Sequence, residues 1–288
     1  MVLSRLRLIP VGLVSGTAAV ELCEAGNALA LAGGPLAFTH ARVSGPGAPS
    51  EAAGGALLPA AALRCWAAAS ASEDEDGPAA LIARVSAPRP NFAALPVSGA
   101  GARPRIMGVC NVTPDSFSDG GAHALPENAI VFARRMIAAG ADIIDVGGES
   151  TRPGAAPVDP ARELARVMPV VTGLVAEGVP VSIDTRRAEV MRAAIDAGVS
   201  LVNDVSALAD DPDAMRVVAA SDAAVILVHM RGQPADMQDG PRYDDVLGEV
   251  HDALAARIDA CRTAGIAPDR IAVDPGFGFG KTLDHNLA

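Results

Sequence analysis

Residues 105–288 alternate between short apolar runs and longer stretches of helical periodicity, and this alternation constrains the fold more than any other feature. The apolar runs lie at 106–111, 142–146, 181–184, 201–204, 224–229 and 271–274; the helical stretches lie at 127–139, 161–177, 188–197, 212–220 and 243–264. The runs show no polar/apolar alternation, as befits strands covered on both faces of a parallel sheet. Gly140, Gly178, Gly198 and Gly265 follow four of the helices, where a chain leaving a helix turns left-handed. Repeated β/α units of this kind form an α/β fold with right-handed crossovers.

Two α/β architectures fit such a pattern. No G-x-G-x-x-G follows the first run, which weakens an open dinucleotide-binding sheet. Instead, nearly every run ends on a polar residue: Asn111, Asp145, Asp184, Asn203 with Asp204, His229 and Asp274. A ring of polar strand ends is how a (β/α)8 barrel builds its site. The expected fold is therefore a (β/α)8 TIM barrel of which about six β/α units are present, plus an N-terminal extension. The domain at 104–288 is expected to be incomplete at its C-terminus, because the sequence stops inside or just before a sixth helix. The loops at 112–125 and 147–159 far exceed the roughly 2–6 residues usual after a barrel strand. Both are rich in Gly, Ser, Thr and Pro, which suits surface turns or loops that close over a ligand.

Residues 1–103 have a different texture, rich in Ala, Gly, Pro and Ser, with an acidic run at 73–76 and a linker-like stretch at 99–104. Short apolar segments at 29–31, 60–66 and 79–85 predict a few strands or helices, hence an extension that is a small α/β unit or partly ordered. Arg5 and Arg7 before an apolar stretch at 11–20 faintly imitate a secretory signal, but Glu21 and Glu24 follow directly. The chain has a formal net charge of −11, which argues against a nucleic-acid partner. Cys23, Cys65, Cys110 and Cys261 form no C-x-x-C pair, and no window reaches the ~18 apolar residues of a membrane span. A cytoplasmic protein without a membrane partner is expected.

The strand ends and loops together carry a family resemblance. The stretch Met107-Gly108-Val109-Cys110-Asn111-Val112-Thr113-Pro114-Asp115-Ser116-Phe117-Ser118-Asp119-Gly120-Gly121 resembles the first signature of the dihydropteroate synthase family. Asp145-Val146-Gly147-Gly148-Glu149-Ser150-Thr151-Arg152-Pro153-Gly154 is similar to its second. Ser182-Ile183-Asp184-Thr185, Asn203-Asp204-Val205 and Asp274-Pro275-Gly276-Phe277-Gly278-Phe279-Gly280-Lys281 resemble later family segments, in the family's order. The resemblance covers about residues 104–288. It implies a transferase that joins 4-aminobenzoate to (7,8-dihydropterin-6-yl)methyl diphosphate, releasing pyrophosphate and forming 7,8-dihydropteroate for folate synthesis.

The same resemblance implies roles for individual residues. Asp184, Asn203 and Asp274 are pterin-pocket residues: a carboxylate accepts two ring N–H bonds at once, and an amide both donates and accepts. Asn111 is the Mg2+ ligand, its amide oxygen suiting a hard cation. Thr151 contacts the diphosphate. Arg152, Phe117 and Pro153 form the aminobenzoate pocket, and Asp119 helps order the loops around the metal and pyrophosphate; Asp119, Thr151 and Arg152 are the candidate catalytic residues. The small-molecule substrates are the expected partners, with a homodimer for the complete protein. The family's later Ser-Arg-Lys and Arg-x-His segments are not found in these residues.

Lys281 is the only lysine. It follows a glycine-rich stretch, but Pro275 stands where a phosphate loop needs its first Gly. His229 is either a pocket-lining residue or a rim histidine. Two alternative functions remain: a pterin-dependent methyltransferase, which would share the barrel and carboxylates but not the two long loops, and a non-catalytic pterin-binding paralogue.

Overall fold

The computed structural model describes residues 5–50, 55–70, 77–98, 103–113, 126–149, 158–233 and 236–288. The chain divides into two units, Met1–Asn91 with Pro96–Pro104, and Phe92–Leu95 with Arg105–Ala288.

In the first unit, β1 (Arg7–Ser15) leads into α1 (Gly16–Glu24), β2 (Leu29–Ala30), β3 (Leu36–Ser44) and β4 (Ala56–Pro59), then α2 (Ala60–Ala69) and α3 (Pro78–Ser86). The stretch that imitates a secretory signal is thus the second half of β1 and the first half of α1. Strand β3 is central, antiparallel to β1 along one edge and to β2 and β4 along the other. Pro10 and Gly12 fall in β1 because that strand is an edge, where a missing donor or a local kink does not break a second ladder. Phe38, Ala41 and Val43 of β3 are buried with Leu63 of α2, and Trp66, Ile82 and Val85 pack around them.

The second unit runs β5 (Met107–Asn111), α4 (Pro126–Ala138), β6 (Ile143–Gly147), α5 (Pro160–Ala176), β7 (Val181–Asp184), α6 (Ala188–Asp196), β8 (Leu201–Asp204), α7 (Ala214–Ala219), β9 (Ala224–Val228), α8 (Val246–Thr263), β10 (Ile271–Asp274) and α9 (Leu283–Leu287). The six strands are parallel and lie in sequence order from β5 to β10. This is the β/α succession of a TIM barrel, with β5 and β10 as its edges among the described residues. Three of the five expected helices are shorter than predicted, α6 by one residue and α7 and α8 by more. Helix α8 begins only after Asp245, whose carboxylate accepts from Gly248 N at 3.0 Å, so Tyr243 stays in the preceding loop.

The core between sheet and helices is built from small aliphatic residues, including Val146, Ile183, Val202 and Leu227 from strands and Val171, Leu174 and Met191 from helices. At the amino ends of the strands, Phe92, Ala93 and Leu95 pack against Ile143, Leu201 and Ala224. The Phe92–Leu95 turn, closed by reciprocal backbone bonds of 2.9 and 2.8 Å, seals the end of the sheet opposite the polar residues.

Candidate active site

Strand register sets the site. Asn111, Gly147, Asp184 and Asn203 are successive cross-strand partners in β5, β6, β7 and β8, forming one row. Side chains in one row of a parallel sheet share a face, so the amide, the carboxylate and the second amide stand together. Gly147 leaves the gap between them: a methyl group there would stand 3.0 Å from Asn111 Oδ1 and 3.1 Å from Asp184 Oδ2. Two hard oxygen donors therefore flank a space that a side chain would fill.

One layer below lies the row containing Asp145 and Ser182. Both are buried, and Asp145 Oδ2 accepts from Asn203 Nδ2 at 2.9 Å. Among the described residues, Asp145 Oδ1, Ser182 Oγ and Asn203 Oδ1 are buried with no hydrogen-bond partner of normal geometry. Burial raises the Asp145 carboxyl above its usual range, partly offset by the nearby Ser182 hydroxyl and the Asn203 amide. Asp184 has an intermediate exposed area, yet protein atoms crowd its carboxyl. That crowding, together with the neighbouring carboxylates Asp145, Asp204, Glu163 and Glu149, pushes it well above the ordinary carboxylate range. A carboxyl so placed favours a ligand that brings N–H donors.

The buried Asp204 serves the backbone instead. Its Oδ1 accepts from Ser206 N and Oγ, both at 2.7 Å, and its Oδ2 accepts from Leu208 N at 2.9 Å. Ala207 and Leu208 have φ of 53° and 58°, and Arg257 of α8 donates to their carbonyls at 2.8 and 2.9 Å. This left-handed turn is held from both sides. It borders a groove of about 530 Å3 that includes Ser206, His229 and Arg257 but not Asp184, Asn203 or Asp274.

The glycine-rich segment after β10 is tied to the loop after β9 by Lys281. The side chain is 6% exposed, and its Nζ lies 3.0 Å from the carbonyls of Gly276 and Phe279, 3.3 Å from that of His229, and 3.0 Å from His229 Nδ1. The one lysine is thus a staple between two loops. Asp274 Oδ1 accepts from Gly276 N at 2.7 Å, and Asp274 O accepts from His229 N at 2.9 Å, so the same staple steadies Asp274. Burial lowers the Lys281 ammonium to about 8, with Asp274 opposing the shift.

Because the ammonium donates to Nδ1, His229 carries its proton on Nε2 when neutral. Burial and the Lys281 charge lower the ring to about 4. In the unfolded chain the imidazole takes a proton near pH 6.5, so this group's contribution to stability is lost as pH falls from about 6.5 to about 4. His229 is intermediate in exposure, so roughly 1–2 kcal/mol is expected after allowance for solvent screening. His229→Gln keeps an acceptor for Lys281 but cannot titrate, and urea unfolding across this range should show a shallower acid loss than in the native chain. An unchanged slope would exclude His229.

A second charge network borders the mouth. Glu149, after β6, accepts from Arg186 Nε at 3.2 Å, Arg187 Nη2 at 3.1 Å and Val158 N at 2.8 Å. Arg187 also pairs with Glu163 of α5, which is 1% exposed, and Arg186 with Asp210 at 2.7 Å. Asp145, Glu149, Glu163 and Arg187 were not among the site residues expected from sequence; Asp145 and Glu149 lie inside the second recognised motif and Arg187 two residues after the third, but their pairing crosses three β/α units. Of the expected residues, Asn111, Asp184 and Asn203 share one row, and Asp274 ends β10, two strands from Asn203. Phe117, Asp119, Thr151, Arg152 and Pro153 lie outside the described residues. Among the described residues no group of three or more His, Cys, Asp or Glu side chains could hold a metal ion, and no helix is long and apolar enough to cross a membrane.

Parallel β/α units with carboxylates and amides gathered at the carboxyl ends of the strands define a TIM-barrel type of ligand-binding or catalytic domain. Residues 107–288 match the family model described as pterin binding enzyme, and the chain belongs to that family. It is 49% identical over 187 residues to the dihydropteroate synthase of Neisseria meningitidis serogroup C, a match covering 64% of this chain and 66% of the relative. The chain thus spans just under two thirds of that relative's length. The Xanthomonas albilineans dihydropteroate synthase structure with 4-aminobenzoic acid superposes with a TM-score of 0.60 at 51% identity, covering 64% of this chain and 66% of that one. The Burkholderia cenocepacia enzyme complexed with 7,8-dihydropteroate gives a TM-score of 0.58 at 47% identity, covering 65% and 64%.

Proposed function

We propose that the protein is a dihydropteroate synthase, condensing 4-aminobenzoate with (7,8-dihydropterin-6-yl)methyl diphosphate to give 7,8-dihydropteroate and pyrophosphate. The observation that carries this reading is the row Asn111–Gly147–Asp184–Asn203 with its unpartnered acceptor and raised carboxyl. It is supported by relatives whose structures hold 4-aminobenzoic acid and 7,8-dihydropteroate. A pterin's amino-pyrimidinone edge carries adjacent N–H donors, which Asp184, Asn203 and Asp274 are suited to accept.

In the reaction the C–O bond to the diphosphate breaks, a C–N bond to the arylamine forms, and the arylamine proton passes to solvent. Thr151 binds the diphosphate; Arg152, Phe117 and Pro153 hold the aminobenzoate; Asp119 orders the loops around the departing pyrophosphate. Asn111, with the gap above Gly147, has the oxygen chemistry that Mg2+ takes, since this cation binds few protein ligands and keeps its waters. When bound, Mg2+ supplies positive charge opposite the phosphate oxygens. We further propose a cytoplasmic location and a homodimer.

The test is formation of dihydropteroate and pyrophosphate with Mg2+ present. Methyl transfer to a corrinoid acceptor, without pyrophosphate release, would overturn the reading. In calorimetry with the pterin diphosphate, Asp274→Asn should weaken binding by about 1.5–3 kcal/mol, the loss of a charged hydrogen bond. Unchanged affinity would remove Asp274 from the pocket.

A further inference from the structure

We propose that Asp145 is a positioning residue that fixes which end of the Asn203 amide meets the ligand. The inference rests on the pterin reading of the site and goes beyond it by assigning a specificity role one layer below the mouth.

The side-chain amide of Asn203 has an accepting end and a donating end, and nothing in its own geometry chooses between them. Asp145 chooses. Its Oδ2 accepts from Nδ2 at 2.9 Å, and an ionised carboxylate has no proton to offer the oxygen. If Asp145 takes up a proton, its Oδ1, which has no hydrogen-bond partner of normal geometry among the described residues, can hold it and Oδ2 remains an acceptor. Either way the nitrogen is drawn down toward β6, and Asn203 Oδ1 is left buried without a hydrogen-bond partner among the described residues.

Asn203 shares its row and face with Asp184, so the orphan acceptor belongs to the ligand side of the sheet. Had the amide been free to turn, Asn203 could greet a ring edge with either a donor or an acceptor. Held as it is, it offers its oxygen and asks for an N–H. A ring presenting only a lone pair there would leave two acceptors facing each other, a mismatch that polar sites reject strongly. Ser182 Oγ, in the row below, also has no hydrogen-bond partner of normal geometry among the described residues.

The test uses the chain with Asp145→Ala, Asp145→Asn and Asn203→Ala, singly and combined, titrated calorimetrically with 6-hydroxymethylpterin. If Asp145 acts through Asn203, Asp145→Ala should weaken binding about tenfold alone. In the Asn203→Ala background the same change should cost less than about twofold, because coupled residues do not add. Asp145→Asn still presents an oxygen to Asn203 Nδ2 and should recover most of the affinity that Asp145→Ala loses. Equal penalties in both backgrounds, or an Asp145→Asn variant as weak as Asp145→Ala, would overturn the proposal. Asp145→Ser, too short to reach the amide, replaces Asp145→Ala if that variant does not fold. The Asn203 side-chain amide pair in a 15N NMR spectrum gives a readout independent of any ligand. It should shift on Asp145→Ala and stay near its native position on Asp145→Asn; an unmoved pair in Asp145→Ala overturns the clamp. Absence of pterin binding by the native chain would defeat the functional reading, and the amide signal would still decide the role of Asp145.

Discussion

Arg187→Ala is expected to destabilise the second unit by about 3–5 kcal/mol, because it strands a buried charge. Glu163 is 1% exposed, its Oε2 pairs with Arg187, and its Oε1 has no hydrogen-bond partner among the described residues. Arg187 reaches Glu149 with its other nitrogen, so one guanidinium answers two carboxylates. Lysine cannot copy this planar fork, and Arg187→Lys should recover little. Adding Glu163→Gln to Arg187→Ala removes the stranded charge and should restore a large part of the loss. Urea unfolding at neutral pH measures all three variants. A loss below about 1 kcal/mol for Arg187→Ala, the scale of an exposed pair, would show that the network is solvated after all.

Gly276→Ala should cost about 3 kcal/mol, combining left-handed strain of roughly 1–2 kcal/mol with a forced backbone shift. Gly276 has φ of 68°, and a Cβ there would stand 2.0 Å from the carbonyl oxygen of His229. That carbonyl and the Gly276 carbonyl both hold Lys281, and the Gly276 amide holds Asp274. The variant should therefore lose pterin affinity as well as thermal stability. A Gly278→Ala control meets no atom of the described residues within 4 Å, although its φ of 79° carries the same strain. Equal losses in the two variants would mean that strain alone, and not contact with the His229 carbonyl, makes glycine necessary.

The strands of the second unit were legible because nearly every apolar run stops at or beside a polar residue. The expected runs at 181–184, 201–204 and 271–274 coincide with β7, β8 and β10. The first unit was not legible in the same way. Strand β1 contains Pro10 and Gly12, and β3 interrupts its apolar residues with Thr39-His40 and Arg42, so neither shows a clean period. Their pairing, Arg7 opposite Ser44 through Ser15 opposite Leu36, is separated by a helix and a short strand and leaves no hairpin signal. Asp145 was visible as a polar residue near a strand end, but its meaning depends on a layer that register creates between β6 and β8. The Arg187–Glu163 pair joins residues 24 apart on different elements, and only the folded packing reveals it.

The burial of the one lysine side chain has a practical reach. Amine-directed reagents meet no other side-chain target in this sequence, and at Lys281 they find an ammonium 6% exposed and surrounded by acceptors. Side-chain labelling must therefore wait for the loops after β9 and β10 to part, and its rate reports how often they do. The same holds for a protease that cuts after lysine: its single internal cleavage point is locked while the staple is closed. The protein thus carries a chemical clock for the opening of one pair of loops, readable by mass without any added probe.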